Sequence, residues 1–212
     1  MILAAGLGAR LRPLTNDRPK ALVEVGGRTL LEITLARLRE FGIRDVIVNV
    51  HHFADMIIEY LQARDNFGMR LEVSREDVLL DTGGGLKKAG WFFGGDEPFV
   101  LHNVDVISTI DLDRMAQFHV AGKALATLAV QDRKTSRPLL FDENLQLRGR
   151  ASTGESGLAF SGIHVISPRL LPLMTEDGVF SIITSYLRLA AQGEKILGFR
   201  ADEYEWRDMG KP

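Results

Sequence analysis

The sequence of 212 residues contains no cysteine, which excludes a disulfide framework, thiolate metal ligands and thiol catalysis. It also lacks an excess of charge of one sign, because 26 Lys and Arg residues against 28 Asp and Glu residues leave a formal net charge of −2. Such a charge does not point to nucleic acid or to an anionic membrane as a partner. The hydrophobic fraction of 45% and the charged fraction of 25% are ordinary for a globular protein and exclude a disordered or collagen-like chain.

Long apolar runs are absent as well. One of the longest uncharged stretches, residues 178–187, falls well short of the roughly 20 residues that a membrane-spanning helix needs. Residues 1–6 are apolar, but no basic residues precede them and the run is too short for a signal peptide. We therefore expect a cytoplasmic protein. Because no linker rich in Pro, Gly or Ser divides the chain and no repeat is visible, we expect a single domain over residues 1–212.

Short apolar runs alternate with segments of helical spacing until about residue 130. For example, residues 46–50 form a continuous, mostly β-branched run that is typical of a buried parallel strand, and Leu31, Leu35 and Leu38 share one face of a helix. This alternation predicts an α/β fold, a Rossmann-like three-layer α/β/α arrangement whose mainly parallel mixed sheet is extended by an antiparallel hairpin. Strands are predicted at 1–5, 46–50, 71–73, 99–101, 125–130, 158–166 and 196–199, helices at 30–41, 53–61, 85–93, 111–120 and 179–191, and the hairpin at 139–147.

Glycine is the residue that the sequence has in excess, with 21 of 212 residues against a usual share of about 7%. The first cluster, Gly6 and Gly8, follows directly after the first predicted strand, and Arg10, Arg12 and Lys20 come soon after it. Backbone N–H groups without side chains in the way can close on a phosphate, and Arg and Lys supply positive charge. Ligands of α/β sheets bind at the carboxyl ends of strands, so we predict a phosphate-binding loop here.

Other phosphate-binding patterns fit less well. The dinucleotide fingerprint Gly-x-Gly-x-x-Gly requires a third glycine where this chain has Leu11, and the Walker pattern does not occur in the sequence. A plain strand-to-helix turn would also use two glycines. The basic residues in fixed order after them argue against that simpler interpretation.

The run Leu-Ala-Ala-Gly-x-Gly-x-Arg-x-x-Pro-x-Thr at residues 3–15, followed by Pro19 and Lys20, resembles the signature of the sugar-1-phosphate nucleotidylyltransferases. The resemblance extends over almost the whole chain. It implies an enzyme that transfers a nucleotidyl group from an NTP to a sugar 1-phosphate and releases pyrophosphate. It implies further that Arg10 holds the β- and γ-phosphates and that Lys20 neutralises charge near the α-phosphate. Many members have Thr where this chain has Ala9. The nucleotide-binding residues implied in this motif are Ala4, Ala5, Gly6, Gly8, Ala9 and Arg10.

A second glycine cluster lies at residues 81–85, Asp-Thr-Gly-Gly-Gly. Three successive glycines are costly to order, so we expect a loop in which a bare backbone is needed. The family resemblance implies that this loop packs against the nucleobase and ribose, with Asp81, Thr82, Gly83 and Gly84 as binding residues. Its form most resembles that of the muramate uridylyltransferases, which favours UTP and N-acetylmuramate 1-phosphate as substrates. A mannose- or heptose-1-phosphate guanylyltransferase is the alternative.

Two aspartates are candidates for a metal site. Asp105 follows the predicted strand 99–101 and lies on the same edge as the first glycine cluster, where a carboxylate would repel a triphosphate unless a cation such as Mg²⁺ intervened. The segment around it resembles the family's Asn-Gly-Asp motif, with Asn103 as a nucleotide-binding residue and Val104 in place of Gly. The segment 206–210 resembles the late Trp-x-Asp-x-Gly motif, which implies Asp208 as the second Mg²⁺ ligand. The catalytic residues implied are Arg10, Lys20 and Asp105. Family members continue further, which is compatible with a natural chain that extends past Pro212.

The sugar side of the site has weaker signals. The segment 160–164 resembles a family strand whose glycine, here Gly162, lies close to the sugar, and Glu155 precedes it in a loop that could contact sugar hydroxyls. Adjacent His51 and His52 would point to opposite faces of a strand, so no zinc site is expected. The Asp-x-Asp string at 111–113 is typical of sugar transferases, but it begins a predicted helix instead of ending a strand.

The implied reaction needs neither a general base nor a Ser/His/Asp triad, because the nucleophile is a phosphate oxygen that is already an anion. A non-catalytic nucleotide-sugar sensor is the alternative from another class, and Ala9 and Val104 are the residues that favour it. The expected partners are an NTP and a sugar 1-phosphate, without nucleic acid or membrane, and the expected state is a monomer or a small homo-oligomer.

Overall fold

The computed structural model describes residues 1–152 and 155–210. Five α-helices and thirteen strands are found in these residues, together with short 3₁₀ turns. The helices are α1 (Leu30–Glu40), α2 (Ala54–Gln62), α3 (Asp81–Lys88), α4 (Leu112–Gly122) and α5 (Ile182–Ala191). The strands are β1 (Ile2–Leu3), β2 (Glu24–Val25), β3 (Arg28–Thr29), β4 (Asp45–Val50), β5 (Arg70–Arg75), β6 (Phe99–Asn103), β7 (Val106–Ser108), β8 (Ala126–Gln131), β9 (Leu139–Phe141), β10 (Leu147–Arg150), β11 (Ala159–Ile166), β12 (Ile196–Arg200) and β13 (Trp206–Asp208).

The central sheet has seven strands in the order β12-β8-β11-β6-β1-β4-β5. All neighbours pair in parallel except β11, which runs antiparallel to both β6 and β8. The carboxyl ends of β1, β4, β5, β6, β8 and β12 therefore lie along one edge of the sheet, which is where ligands of α/β folds bind.

Hydrophobic cores cover both faces of this sheet. One core contains Leu35 of α1, Ile57 of α2 and Met115 of α4, whereas the other contains Leu86 of α3 and Tyr186 of α5. Successive side chains of one strand pack into opposite cores, since Val46 and Val48 of β4 belong to the first core and Ile47 belongs to the second. The three-layer α/β/α arrangement with a mainly parallel mixed sheet is thus confirmed.

The hairpin forms as predicted, but it does not extend the main sheet. Strands β9 and β10 pair with each other in a sheet of their own, and the antiparallel member of the central sheet is β11. The predicted helix at 85–93 is wrong in its bounds, because α3 spans Asp81–Lys88 and contains the three glycines in its first turns. Within the described ranges, every helix is too short or too polar to cross a membrane.

Candidate active site

Two adjoining cavities open at the carboxyl edge of the central sheet. The smaller has a volume of about 350 Å³ and the larger about 730 Å³. Their shared wall is formed by four residues that the sequence had singled out, namely Asp81, Thr82, Asn103 and Asp105. The two cavities therefore form one continuous site with room for two ligands side by side.

The first glycine loop borders this site directly after β1. Gly6 lines the smaller cavity, and a Cβ built on it would meet no atom within 4 Å. Gly8 is required by the backbone conformation. It has a left-handed φ of 64°, and a Cβ there would lie 2.9 Å from Thr15 Cγ2. Thr15 Oγ1 in turn donates a hydrogen bond of 2.9 Å to the Gly8 carbonyl. Gly8 thus permits the turn, whereas Gly6 leaves open space in front of the backbone.

The other residues of the first motif are distributed over both cavities. Ala4, Ala5 and Lys20 line the smaller one, and Arg10 lines the larger. Ala9 is exposed and begins the short 3₁₀ turn Ala9–Leu11. It is not part of either cavity lining among the described residues.

Lys20, Asp105 and Asp208 converge at the point where the two cavities meet. The Lys20 ammonium forms an ion pair with Asp105 Oδ2, and both side chains are largely buried. A Cβ built on Gly210 would lie 2.6 Å from Asp105 Oδ2 and 2.8 Å from Asp208 Oδ1. The two carboxylates and the ammonium therefore crowd around one small volume that a side chain at residue 210 would fill.

The proximity of the two aspartates comes from a strand pair that the sequence did not predict. Strand β13 pairs antiparallel with β7, which places Asp208 opposite Val106. The Met209 amide donates a hydrogen bond of 2.8 Å to the Asp105 carbonyl, and the Gly210 amide donates one of 2.8 Å to Asp208 Oδ1. Backbone pairing thus brings residues about a hundred positions apart into one site.

The donor set fits a hard divalent cation. Two carboxylates are the usual protein contribution to Mg²⁺, which takes its remaining oxygen ligands from water and substrate phosphates. Within residues 1–152 and 155–210, no group of three or more Asp, Glu or His side chains is placed to hold a metal ion. Asp105 and Asp208 therefore suit a metal ion that is shared with a phosphate ligand better than one held by the protein alone.

Asn103 and Gly162 form the next part of the wall. Asn103 Oδ1 is buried and has no hydrogen-bond partner in the described part of the chain, although buried polar atoms are usually paired. Gly162 has a φ of 78°, and a Cβ there would lie 2.9 Å from Asn103 Nδ2. Gly162 lines the larger cavity and permits the close approach of β11, whose register shifts between Phe160 and His164.

The second glycine cluster serves packing inside the fold. A Cβ on Gly83 would collide with the Phe180 ring, and one on Gly84 would collide with the Gly178 carbonyl. The expected loop is therefore wrong, because these residues form the start of α3 and pack against the segment before α5. Asp81 and Thr82 line both cavities, whereas Gly83 and Gly84 line neither among the described residues. A direct role of Gly83 and Gly84 in nucleotide binding stays a prediction.

A buried hydrogen-bond network that the sequence did not reveal supports both glycine segments. The Ala4 amide donates to Asn49 Oδ1 at 2.8 Å, Asn49 Nδ2 donates to Glu76 Oε1 at 2.7 Å, and the Leu80 amide donates to Glu76 Oε2 at 3.0 Å. Asn49 and Glu76 are 2% and 3% exposed. The only available signal was a polar residue inside the apolar run 46–50.

Arg133 is a second residue that the sequence did not single out. It follows β8 and lines the larger cavity, and its guanidinium carbon lies 3.6 Å from the centre of the Trp206 ring. Its Nη2 donates a hydrogen bond of 2.7 Å to the Phe160 carbonyl, and burial lowers the pKa of this guanidinium, while the charge of Asp208 raises it. Deep in the same cavity, burial lowers the pKa of His164 to about 3, so that this histidine is neutral.

Glu155, like Ala9, Gly83 and Gly84, lines neither cavity among the described residues. It is exposed, and its Oε2 accepts a hydrogen bond of 3.0 Å from the Ser152 amide. A contact of Glu155 with substrate stays a prediction.

The chain is similar to known proteins over its whole length. Residues 1–139 match the model of the family described as nucleotidyl transferase. The chain is 36% identical over 228 residues to the N-acetylmuramate alpha-1-phosphate uridylyltransferase of Caulobacter vibrioides, and the match covers 100% of this chain and 91% of the relative. It is also 36% identical over 230 residues to the mannose-1-phosphate guanyltransferase of Aspergillus fumigatus, of which it spans only 60%.

Solved structures share the fold. The structure of HddC from Yersinia pseudotuberculosis, complexed with GMP-PN, superposes with a TM-score of 0.83 and covers 100% of this chain and 93% of that one. The sequence identity is 22%, so this likeness supports the architecture alone.

Proposed function

The chain belongs to the nucleotidyl transferase family, as a sugar-1-phosphate nucleotidyltransferase, and we propose that it joins UTP to N-acetylmuramate 1-phosphate in a Mg²⁺-dependent reaction. The products are the UDP-sugar and pyrophosphate. One observation carries the proposal, namely the convergence of Lys20, Asp105 and Asp208 at the junction of two cavities. A site that joins two anionic phosphates needs positive charge at the point where they meet, because the phosphates repel each other.

The nucleotide occupies the smaller cavity in this proposal. Gly6 and its neighbours leave backbone exposed there, and Lys20 lies at the inner end. Arg10, from the end of the same loop, reaches the β- and γ-phosphates from the adjoining cavity. Leu79 and Val179 supply apolar surface for the base.

The sugar 1-phosphate occupies the larger cavity. One of its phosphate oxygens attacks the α-phosphorus of UTP in line, a new P–O bond forms, and the bond to the β-phosphate oxygen breaks as pyrophosphate leaves. Lys20 neutralises charge that develops on the α-phosphate, and Asp105 and Asp208 would hold Mg²⁺. When bound, Mg²⁺ would supply electrostatic stabilisation of the phosphate oxygens. The unpaired Asn103 Oδ1 accepts a hydrogen bond from a substrate hydroxyl.

Support for the choice of substrates comes from the relatives and the second glycine cluster. The chain spans 91% of the uridylyltransferase of Caulobacter vibrioides but only 60% of the guanyltransferase of Aspergillus fumigatus. The Asp-Thr-Gly-Gly-Gly form points in the same direction. The site is lined by residues from Leu3 to Asp208, which supports one functional domain.

The test has two stages. Thermal-shift measurements with each of the four NTPs and Mg²⁺ identify the nucleotide, since a ligand that binds the native state alone raises Tm. Pyrophosphate release is then measured for that nucleotide with N-acetylmuramate, mannose, glucose and N-acetylglucosamine 1-phosphates. We expect UTP and N-acetylmuramate 1-phosphate to give the highest kcat/KM. A preference for GTP with mannose 1-phosphate would establish the guanylyltransferase alternative, and binding without any pyrophosphate release would establish a sensor.

A further inference from the structure

The larger cavity is lined by four arginines, of which only Arg10 belongs to the nucleotide motif. Arg133 lies in the loop after β8, Arg137 lies near the end of that loop, and Arg150 ends β10. These three residues form a cationic wall on the side of the cavity formed by the loop 132–138 and the β9–β10 hairpin. The sugar, and not the triphosphate, would face this wall.

Within the cationic wall, the Arg133 guanidinium is held where it would contact an anion near the reacting phosphates. Its ring contact with Trp206 and its bond to the Phe160 carbonyl hold the guanidinium in place, and its buried Nε has no hydrogen-bond partner among the described residues. Trp206 is two residues from Asp208 on β13, so Arg133 lies at the metal end of the cavity. The phosphate of the sugar substrate is the anion that fits here.

Arg137 and Arg150 lie beside the hairpin, since Arg137 is two residues before β9 and Arg150 ends β10. In register, Arg150 pairs with Leu139, which is two residues after Arg137. Both arginines are exposed, and in the described part of the chain neither forms an ion pair. By contrast, Arg148, on the same strand as Arg150, forks onto Asp142 with bonds of 2.9 and 2.5 Å. Arg148 is thus neutralised outside the cavity, whereas Arg137 and Arg150 line the cavity without an ion-pair partner among the described residues.

We propose that Arg137 and Arg150 bind a carboxylate on the sugar, so that the substrate class is a sugar 1-phosphate that carries a second acidic group. This inference rests on the proposed function. With the 1-phosphate held near Asp105 and Asp208, the sugar ring extends past Gly162 toward the hairpin, and a substituent of the ring reaches the two arginines. A carboxylate is opposite in charge to the guanidinium groups, and its two oxygens can accept a hydrogen bond from each arginine.

The test uses two substrates that differ by this group alone. N-Acetylmuramate 1-phosphate is N-acetylglucosamine 1-phosphate with an added lactyl ether, whose carboxylate is the only extra charge. kcat/KM for both sugars is measured with the wild type, with Arg137→Gln, with Arg150→Gln and with the double variant. Arg148→Gln is the matched control, since it removes a neighbouring arginine of the same strand that is paired outside the cavity.

We expect the wild type to prefer the acidic sugar and each single variant to lower the ratio of the two kcat/KM values by about tenfold, since each loses a charge-assisted hydrogen bond. The double variant should lower the ratio further, whereas Arg148→Gln should keep it. An equal loss of kcat/KM for both sugars would show that the arginines bind the phosphate, and unchanged kcat/KM for both sugars would show that they bind no part of the substrate. Either result overturns the inference while pyrophosphate is still released.

A chain that releases no pyrophosphate with any sugar would contradict the proposed function instead. In that case the same variants are compared by calorimetric binding of the two sugar 1-phosphates. Tighter binding of the acidic sugar that is lost in the double variant would support the carboxylate site, and equal binding of both sugars would overturn it.

Discussion

Asn49 Nδ2 donates a hydrogen bond of 2.7 Å to Glu76 Oε1, and this buried pair joins the two glycine segments of the site. The amide oxygen of Asn49 holds the Ala4 amide at the start of the first loop, and the second oxygen of Glu76 holds the Leu80 amide before α3. Gly85 packs over the pair, because a Cβ there would lie 2.7 Å from both Asn49 Nδ2 and Glu76 Oε1. The hydrogen-bond network therefore leaves no room for a side chain at the third glycine of the cluster.

This arrangement predicts the effect of Gly85→Ala. In a helix the exchange normally stabilises by about 1 kcal/mol, but here it displaces a buried hydrogen bond whose disruption costs roughly 1–3 kcal/mol. We expect a lower free energy of unfolding in urea and a higher KM for UTP. Gly94→Ala is the matched control, since Gly94 is exposed and a Cβ there meets nothing within 4 Å. Equal stability of the two variants would contradict the role assigned to Gly85.

The two glycines of the first loop should respond in opposite ways to alanine. Gly8→Ala places a side chain at a φ of 64° and 2.9 Å from Thr15 Cγ2, and the left-handed conformation alone costs about 1–2 kcal/mol. We expect a Tm lower by roughly 2–8 °C. Gly6→Ala meets no protein atom within 4 Å, so its Tm should stay that of the wild type. Its methyl group enters the smaller cavity, where we propose that the nucleotide binds, and KM for UTP should rise by about tenfold. A destabilised Gly6→Ala variant would show that this position serves the fold.

The aspartate pair predicts a loss of turnover without a loss of fold. Asp105→Asn and Asp208→Asn each remove a carboxylate from the proposed metal site, and kcat for pyrophosphate release at saturating Mg²⁺ should fall on the order of a hundredfold or more. Asp113→Asn, an exposed residue of α4 outside both cavities, is the control. Circular dichroism checks the fold of each variant. Turnover that persists in Asp105→Asn at saturating Mg²⁺ would argue against the metal assignment.

The buried histidines predict how stability depends on pH. Burial lowers the pKa of His164 to about 3, whereas an unfolded histidine has a pKa of about 6.5. Between these values the unfolded state binds the additional proton, so His164 by itself lowers the free energy of unfolding by about 1.4 kcal/mol per pH unit as pH falls below 6.5.

Replacing this histidine should flatten that dependence. His164→Gln keeps a hydrogen-bonding group near the Tyr186 hydroxyl, which lies 2.9 Å from His164 Nδ1, but removes the titration. Urea unfolding between pH 4.5 and 6.5 should then show a slope that is smaller by about 1.4 kcal/mol per pH unit. The exposed His52→Gln variant should keep the slope of the wild type. Equal slopes for His164→Gln and the wild type would mean that His164 takes up its proton in the native state.

The sequence predicts well those helices and strands whose apolar spacing and capping residues lie within or next to the element itself. Helix α1 begins and ends within one residue of its predicted bounds, because its apolar spacing is regular and Thr29 Oγ1 caps it by accepting from the Glu32 amide at 3.1 Å. Helix α3 was missed at its start, since glycines disfavour helix. That start is held by tertiary contacts, which include a hydrogen bond of 2.9 Å from the Gly83 amide to the Phe180 carbonyl.

Local sequence patterns identify the family, the α/β architecture and the two glycine-containing motifs that contribute to the smaller cavity, because each of these depends on residues close together in the chain. The tertiary structure decided which distant residues meet. The pairing of β7 with β13 brings Asp208 to Asp105, the Asn49–Glu76 pair supports both glycine segments, and the stacking of Arg133 on Trp206 forms the end of the cationic wall. These contacts join residues 27 to 103 positions apart through backbone pairing, buried hydrogen bonds and ring packing. Strands β7 and β13 have three residues each. This is too short for an alternation of apolar and polar residues to predict their pairing.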